Sequence, residues 1–290
     1  MTDASSFLIK SIAIDSVSYQ KFQLHPALRE VVEYGWLIRN NQPQKIPDIH
    51  ISDGQMEVVF VLEGTYTKQS VTDETDNKLI SGSCIVGIQT KSYLVRGLEK
   101  LSMMGVKFTP LGFSLLFGNK VYHSKDNNIG FDDFGEDWLW QLQEKIQKRA
   151  TLPEVIEELS QAILCRLGQV RTDDSLTIAN ACLQTIVAEK GVITVRQLSE
   201  RHHKSMRQIQ RYFVQHFDVS PKQFIKIIRF KDLYRQSILR KMPPTEYLEY
   251  GYFDQAHFVR EFHRQTGVTP SRAVEKDFLE KNRIAEVNLM

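Results

Sequence analysis

The chain has 290 residues but only three cysteines, Cys84, Cys165 and Cys182. An odd number with no CxxC spacing excludes a disulfide framework and a cysteine zinc site, and leaves each as a small apolar residue. Long hydrophobic runs are also missing. The longest uninterrupted apolar stretch is Val58 to Leu62, far below the about 20 residues that a membrane helix needs. The opening MTDASSFLIKSIAID has no basic start followed by an apolar core, so it does not read as a signal peptide. No membrane partner is expected, and a cytoplasmic location is. GxSxG, HExxH and P-loop spacings are absent. Net charge is small, +2, and hides an asymmetry. Residues 191–290 hold 18 Lys and Arg against 11 Asp and Glu, a balance of +7, whereas residues 1–190 hold 19 against 24, a balance of −5. A basic C-terminal part joined to an acidic N-terminal part fits a polyanion-binding domain attached to one that does not bind polyanions. Length suggests about two domains, and 42% hydrophobic residues are enough for real cores.

What is present is a repeat near the C-terminus. Thr194 is a good helix N-cap, and Val195 and Leu198 face inward after it. A break at His202–Lys204 follows. Ser205 then caps a second helix with Met206, Ile209, Phe213 and Phe217 as one apolar stripe. Its other side carries Arg207, Gln208, Gln210 and Arg211, side chains able to bond guanine and adenine edges bidentately. Short helix, tight break and second helix with a basic, amide-bearing face make a helix-turn-helix pattern. The segment GYFDQAHFVREFHRQTGVTP repeats it, with Phe258 and Phe262 inward and His257, Arg260 and Arg264 outward. HFDVSP (216–221) and QTGVTP (265–270) close both units alike, and a repeat on this scale is hard to obtain by chance.

Residues 175–275 resemble the AraC/XylS family of bacterial transcription regulators, most specifically in SMRQIQRYF (205–213), SPKQFIKIIR (220–229) and residues 251–270. The chain departs from that pattern at His203, where the family usually has the glycine of the first turn, and at Glu246 and Tyr247, where it usually has an Ile-Ala pair. Tyr cannot allow the close helix approach that Ala does, so the helix bracing the second reader is expected to be shortened or displaced. Unequal readers follow, the first discriminating bases and the second gripping the backbone. The resemblance implies base reading by Arg207, Gln210 and Arg211 and then by Gln255, His257 and Arg260. It implies phosphate contacts from Lys204, Lys222, Arg264 and helix N-termini, with Ser205 and Gln208 beside them. A helix over about 222–236 would hold the readers apart. Double-stranded DNA, RNA polymerase, a small-molecule effector and a second copy of the chain are the partners implied, with activation the commoner direction.

The N-terminal half reads as short strands at Ser11–Ser18, Tyr34–Arg39, 56–66, Cys84–Ile88, Ser92–Arg96 and Leu101–Phe108, with residues 68–78 a polar loop. Such spacing suggests a small barrel or sandwich. Residues 47–64, 105–118 and 132–137 resemble the N-terminal region of some AraC-type regulators, which implies a cupin-like sensor barrel. A cupin metal site needs two close histidines on one strand, a carboxylate and a later third histidine. His25, His50 and His123 are isolated, and Asp48 with His50 forms a single pair that reads more readily as an exposed turn. No cofactor, metal or catalytic residue is expected, and the chain is expected not to be an enzyme. A metal-dependent barrel enzyme or ligand-binding protein with a helical interaction tail is the rival.

After Pro110 helices take over. Asp137–Arg149 is one. Leu152–Leu167 carries Leu152, Ile156, Leu159, Ile163 and Leu167 at near-heptad spacing, which suits either packing on the barrel or a dimer seam. Ser175–Glu189 opens the DNA-binding part with Leu176, Ala179, Leu183, Ile186 and Val187 facing its core. The fold class is therefore α+β. Residues 1–168 form a cupin-like sensor and dimerisation domain, 169–175 a linker, and 176–290 an all-α DNA-binding domain of two helix-turn-helix units joined by a helix.

Overall fold

The computed structural model describes residues 8–14, 17–44, 47–169, 173–240, 247, 250–252, 254–273 and 275. Eleven strands are described: β1 (Leu8–Ile14), β2 (Val17–Phe22), β3 (Val32–Asn40), β4 (Asp48–His50), β5 (Met56–Glu63), β6 (Tyr66–Ser70), β7 (Asn77–Ile80), β8 (Cys84–Val86), β9 (Tyr93–Gly97), β10 (Leu101–Phe108) and β11 (Asn128–Gly130). They form an antiparallel seven-stranded sheet, β1-β2-β3-β10-β5-β8-β11, and a four-stranded one, β4-β9-β6-β7. The strand read at Ser11–Ser18 is instead a hairpin that pairs Ile14 with Val17, because alternation alone does not register a chain reversal. The loop read at 68–78 is also a hairpin, with Gln69 opposite Asn77.

The middle of the larger sheet is buried on both faces, and its side chains alternate between two cores. Leu37, Val58, Phe60, Met104 and Val106 point to a layer of helices. Trp36, Ile38, Val59, Val61 and Met103 point to the smaller sheet, where Tyr66 and Cys84 join them. The two sheets thus enclose a small interior, while helices cover the outside of the larger one.

The helices are α1 (Pro110–Phe117), α2 (Phe131–Phe134), α3 (Asp137–Gln147), α4 (Leu152–Leu167), α5 (Asp174–Ala188), α6 (Val195–His202), α7 (Met206–Phe217), α8 (Pro221–Arg240), α9 (Gln255–Thr266) and α10 (Pro270–Ala273). A Thr151–Glu154 capping box starts α4. Its seam residues Ile156, Leu159 and Ile163 are buried within the chain's own core, so packing, not pairing with a second copy, uses them. Asp173 caps α5; residues 170–172 of the expected linker lie outside the described residues. Val187, expected inward, is 44% exposed, whereas Ile186 beside it on α5 is fully buried.

One apolar core runs from the sheet through α1 and α4 into Leu176, Leu198, Ile209, Phe213 and Phe224. The first helix-turn-helix therefore shares its core with the helices on the barrel. The second has its own cluster, Phe230, Leu233, Tyr234, Tyr250, Tyr252, Phe258 and Phe262, with Ile51 of the barrel packed against it. α8 belongs to both, Phe224 to Ile228 in the first core and Phe230 to Tyr234 in the second.

Candidate nucleic-acid interface and the barrel cavity

Thr194 accepts the backbone N–H of Gln197, and the Gln197 side chain returns to the Thr194 N–H, so α6 starts on a full capping box. The turn after it is made at His203, φ 51° and ψ 39°. That is the left-handed conformation glycine adopts freely and histidine only at some cost, at the position where the sequence departs from the usual glycine. Ser205 and Gln208 repeat the capping box at the start of α7. The Gln208 amide oxygen is thereby engaged within the helix. Arg207, Gln210 and Arg211 stand exposed on the outer face, with Ile209, Phe213 and Phe217 buried behind them. Met206 does not join the stripe and is 54% exposed; as the first residue of α7 it projects beyond the core. Lys204 is half-buried in the turn, and Lys222 is exposed in the first turn of α8.

In the second unit Asp254 caps α9 by accepting the His257 N–H at 2.7 Å. Phe258 and Phe262 are buried; Gln255, His257, Arg260 and Arg264 are exposed. Glu261 pairs with Arg264. Glu246 lies outside the described residues. Tyr247, rather than holding the unit open, stacks on Phe258 with ring centroids 5.2 Å apart and planes 6° apart. Most of the helix expected to be shortened or displaced, residues 241–246, 248–249 and 253, lies outside the described residues; within them, aromatic stacking joins Tyr247 to the recognition helix.

Both readers are tied to the barrel. His216, near the end of α7, is buried with Nε2 2.7 Å from the Ser175 hydroxyl and Nδ1 3.5 Å from that of Ser114 in α1. Asp218 accepts the Lys125 N–H at 2.9 Å. At the second unit, Lys231 donates to the Asp53 carbonyl and Ser92 lies 3.4 Å from Gln265. Gly54, at φ +78°, brings its backbone so close to α8 that a Cβ there would lie 3.0 Å from the Phe224 ring. The segment Ile51–Gln55 thus touches the DNA-binding helices on its outer side.

On its inner side the same segment lines a cavity of about 80 Å³ between the sheets. Trp36, Val59, Val86, Tyr93, Val95 and Met103 supply apolar and aromatic walls. Two buried lysines enter it, and neither was singled out in the sequence. Lys107 is held by Asp53 at 2.6 Å and Glu57 at 3.1 Å. Burial works against its charge, but the two carboxylates outweigh that and hold its pKa well above the ordinary value. Lys68 is 8% exposed. It donates to Gln89 Oε1 at 2.6 Å and Asn128 Oδ1 at 2.7 Å and lies 4.0 Å from the centre of the Tyr93 ring. Burial pulls its pKa down to about 8. His50 also lines the cavity, and burial lowers its pKa, leaving it uncharged at neutral pH. Asp48 is not a cavity residue: it accepts from Gln44 at 2.7 Å, and burial pushes its pKa up to about 6. His25 caps a 3-10 turn and His123 sits at φ 71° with its ring against Tyr122, both apart from the cavity. Among the described residues no three His, Cys, Asp or Glu side chains are grouped as metal ligands.

A capped helix pair, α6 and α7, and a further capped helix, α9, carry exposed Arg and Gln side chains suited to DNA. The family model of a helix-turn-helix domain matches residues 198–276, and a domain of unknown function, DUF6597, matches residues 20–130. The C-terminal part of the chain is thus a helix-turn-helix domain. No curated protein sequence matches it. Among solved structures, ToxT from Vibrio cholerae O395 is similar at 12% identity and a TM-score of 0.41, over 82% of this chain and 96% of that one. Unsaturated fatty acid bound ToxT from Vibrio cholerae strain SCE256 gives 11% and 0.41, over 82% and 94%. KdgF from Halomonas sp. gives 7% and 0.26, over 36% and 92%. Likeness this distant carries nothing about ligand or activity. No described helix is long and apolar enough to cross a membrane.

Proposed function

We propose that α7 and α9 are paired recognition helices that read two major-groove segments on one face of operator DNA, and that the barrel controls how they sit. The observation that carries this is α8. Its 20 residues span about 30 Å at 1.5 Å per residue, close to the about 34 Å between successive major grooves. Its two halves are buried in the cores of the two units, so it acts as a rigid strut. Arg207, Gln210 and Arg211, then Gln255, His257 and Arg260, read bases; Lys204, Lys222, Arg264 and the N-termini capped by Ser205 and Asp254 meet phosphates. Control enters through Ile51–Gln55, which touches both the cavity and α8. The role is regulatory rather than catalytic, exercised in the cytoplasm, with RNA polymerase and a second copy of the chain as further partners. The division at residues 169–175 marks where sensing gives way to reading.

The test is binding of the full chain to duplex DNA across salt. Affinity should fall steeply as salt rises. Arg211→Ala and Arg260→Ala should each relax base preference by roughly tenfold at positions in different half-sites. Salt-independent binding, or loss of all DNA preference at the same bases by both changes, would contradict the reading.

A further inference from the structure

The apolar stripe of α7 has one member out of place. Ile209, Phe213 and Phe217 are fully buried, whereas Met206 is more than half exposed. A single exposed apolar side chain is ordinary on a protein surface; the position of this one is not. Met206 is the first residue of α7. In a helix the Cα–Cβ bonds tilt toward the N-terminus, so the first side chain extends past the helix end and not back onto the core. The backbone at that end is fixed. Ser205 Oγ accepts the Gln208 N–H at 3.3 Å, and Gln208 Oε1 accepts the Ser205 N–H at 3.0 Å.

The charges around Met206 differ from those on the rest of the first unit. On α6, Arg196 pairs with Glu200 and Arg201 with Glu189. Lys204, Arg207 and Arg211 make no ion pair among the described residues. Gln210, one turn along the same side of α7, is exposed. An apolar tip set among unpaired cations and an amide has a matching surface in the DNA major groove. Phosphates line its rims, and the floor offers amide-pairing base edges and one apolar group, the 5-methyl of thymine. The N-terminal residues of a recognition helix are those that reach the floor. Methionine, unbranched and polarizable, adapts to a small methyl there without a preformed pocket.

We propose that Met206 is a specificity-determining residue that reads a thymine through its 5-methyl group. The proposal rests on α7 being a recognition helix, and it adds the base and the contact. Four residues at about 1.5 Å each place Met206 about 6 Å from Gln210 along the helix axis, and bases stack about 3.4 Å apart. The thymine therefore lies within about two base pairs of the position that Gln210 reads.

Uracil in place of thymine removes the methyl and leaves every hydrogen-bonding group, so it isolates this contact. The probes are duplexes recovered by in vitro selection on the full chain, with each thymine changed singly to uracil in the half-site whose preference Arg211→Ala relaxes. The wild-type chain should bind one of these uracil duplexes roughly three- to fivefold more weakly than its parent, as expected for burial of one methyl. Met206→Ala should bind that pair of duplexes equally, and Met206→Leu should keep part of the difference. Both variants should melt at the wild-type temperature, because the side chain stands outside the core. Gln210→Ala should relax base preference close to the same thymine. A wild-type chain indifferent to uracil throughout the half-site, a Met206→Ala chain that keeps the full difference, or a responsive thymine remote from the position that Gln210→Ala relaxes overturns the proposal and leaves α7 as a recognition helix. A selection that yields no half-site sensitive to Arg211→Ala overturns both.

Discussion

At the scale of single residues, charges buried in the barrel set the largest energies. Lys107 neutralises Asp53 and Glu57 inside the sheets. Removing one member of a buried ion cluster leaves the others uncompensated, which costs about 3–5 kcal/mol. Lys107→Met is expected to lower stability by that order in denaturant unfolding at pH 7, with much of the loss recovered when Asp53→Asn and Glu57→Gln are added. A single change that costs nothing would mean the cluster is not as dry as its burial indicates. Asp48 gives a pH signature. Its carboxyl is raised to about 6 in the fold by burial, above its unfolded value, so the fold favours the protonated form. That stability is fully present below the unfolded pKa and is lost as pH rises through about 6. Asp48→Asn should therefore stabilise the chain by of order 1–2 kcal/mol at pH 7.5 and by almost nothing at pH 4. Equal effects at both pH values would contradict the assignment.

At the scale of elements, the helix-turn-helix units were legible because their signals are local. Capping residues, helical spacing of Ile209, Phe213 and Phe217, and the repeat around Phe258 and Phe262 all lie within a few turns of chain. Even the strained turn at His203 could be anticipated from its place between two helices. The barrel was less legible. Tyr66, Lys68 and Ser70 alternate inward on β6, but a lysine and a serine at inward positions leave no hydrophobic period, so the strand read as a loop. The buried Lys68 was missed with it. The Asp53–Lys107 pair and the seam at His216 were out of reach for another reason: each joins residues far apart in the chain. The same holds for Gly54, whose positive φ and close approach to Phe224 are tertiary facts. Gly54→Ala should cost about 1–2 kcal/mol from the left-handed backbone alone, press on α8, and shift DNA affinity although no recognition residue is touched. Gly82→Ala, where a Cβ meets nothing within 4 Å, is the control and should change neither stability nor DNA affinity. Unaltered DNA affinity in a folded Gly54→Ala chain would remove the Ile51–Gln55 segment as the route of control.

At the scale of the whole molecule, the two units differ in their attachment. The first shares a continuous core with α1 and α4 of the N-terminal half. The second keeps a separate aromatic cluster that meets the barrel through Ile51, Ser92 and Lys231. The Ile51–Gln55 segment meets both, the first core at Phe224 and the second cluster through Ile51. The central claim is that one chain reads two grooves with α7 and α9. In vitro selection of the full chain on random-sequence duplexes tests it most directly. The account predicts enrichment of two base-specified half-sites whose centres lie about 10–10.5 base pairs apart, the preference within one relaxed by Arg211→Ala and within the other by Arg260→Ala. Enrichment of a single half-site that only Arg211→Ala affects, or half-sites with no fixed spacing, would contradict it.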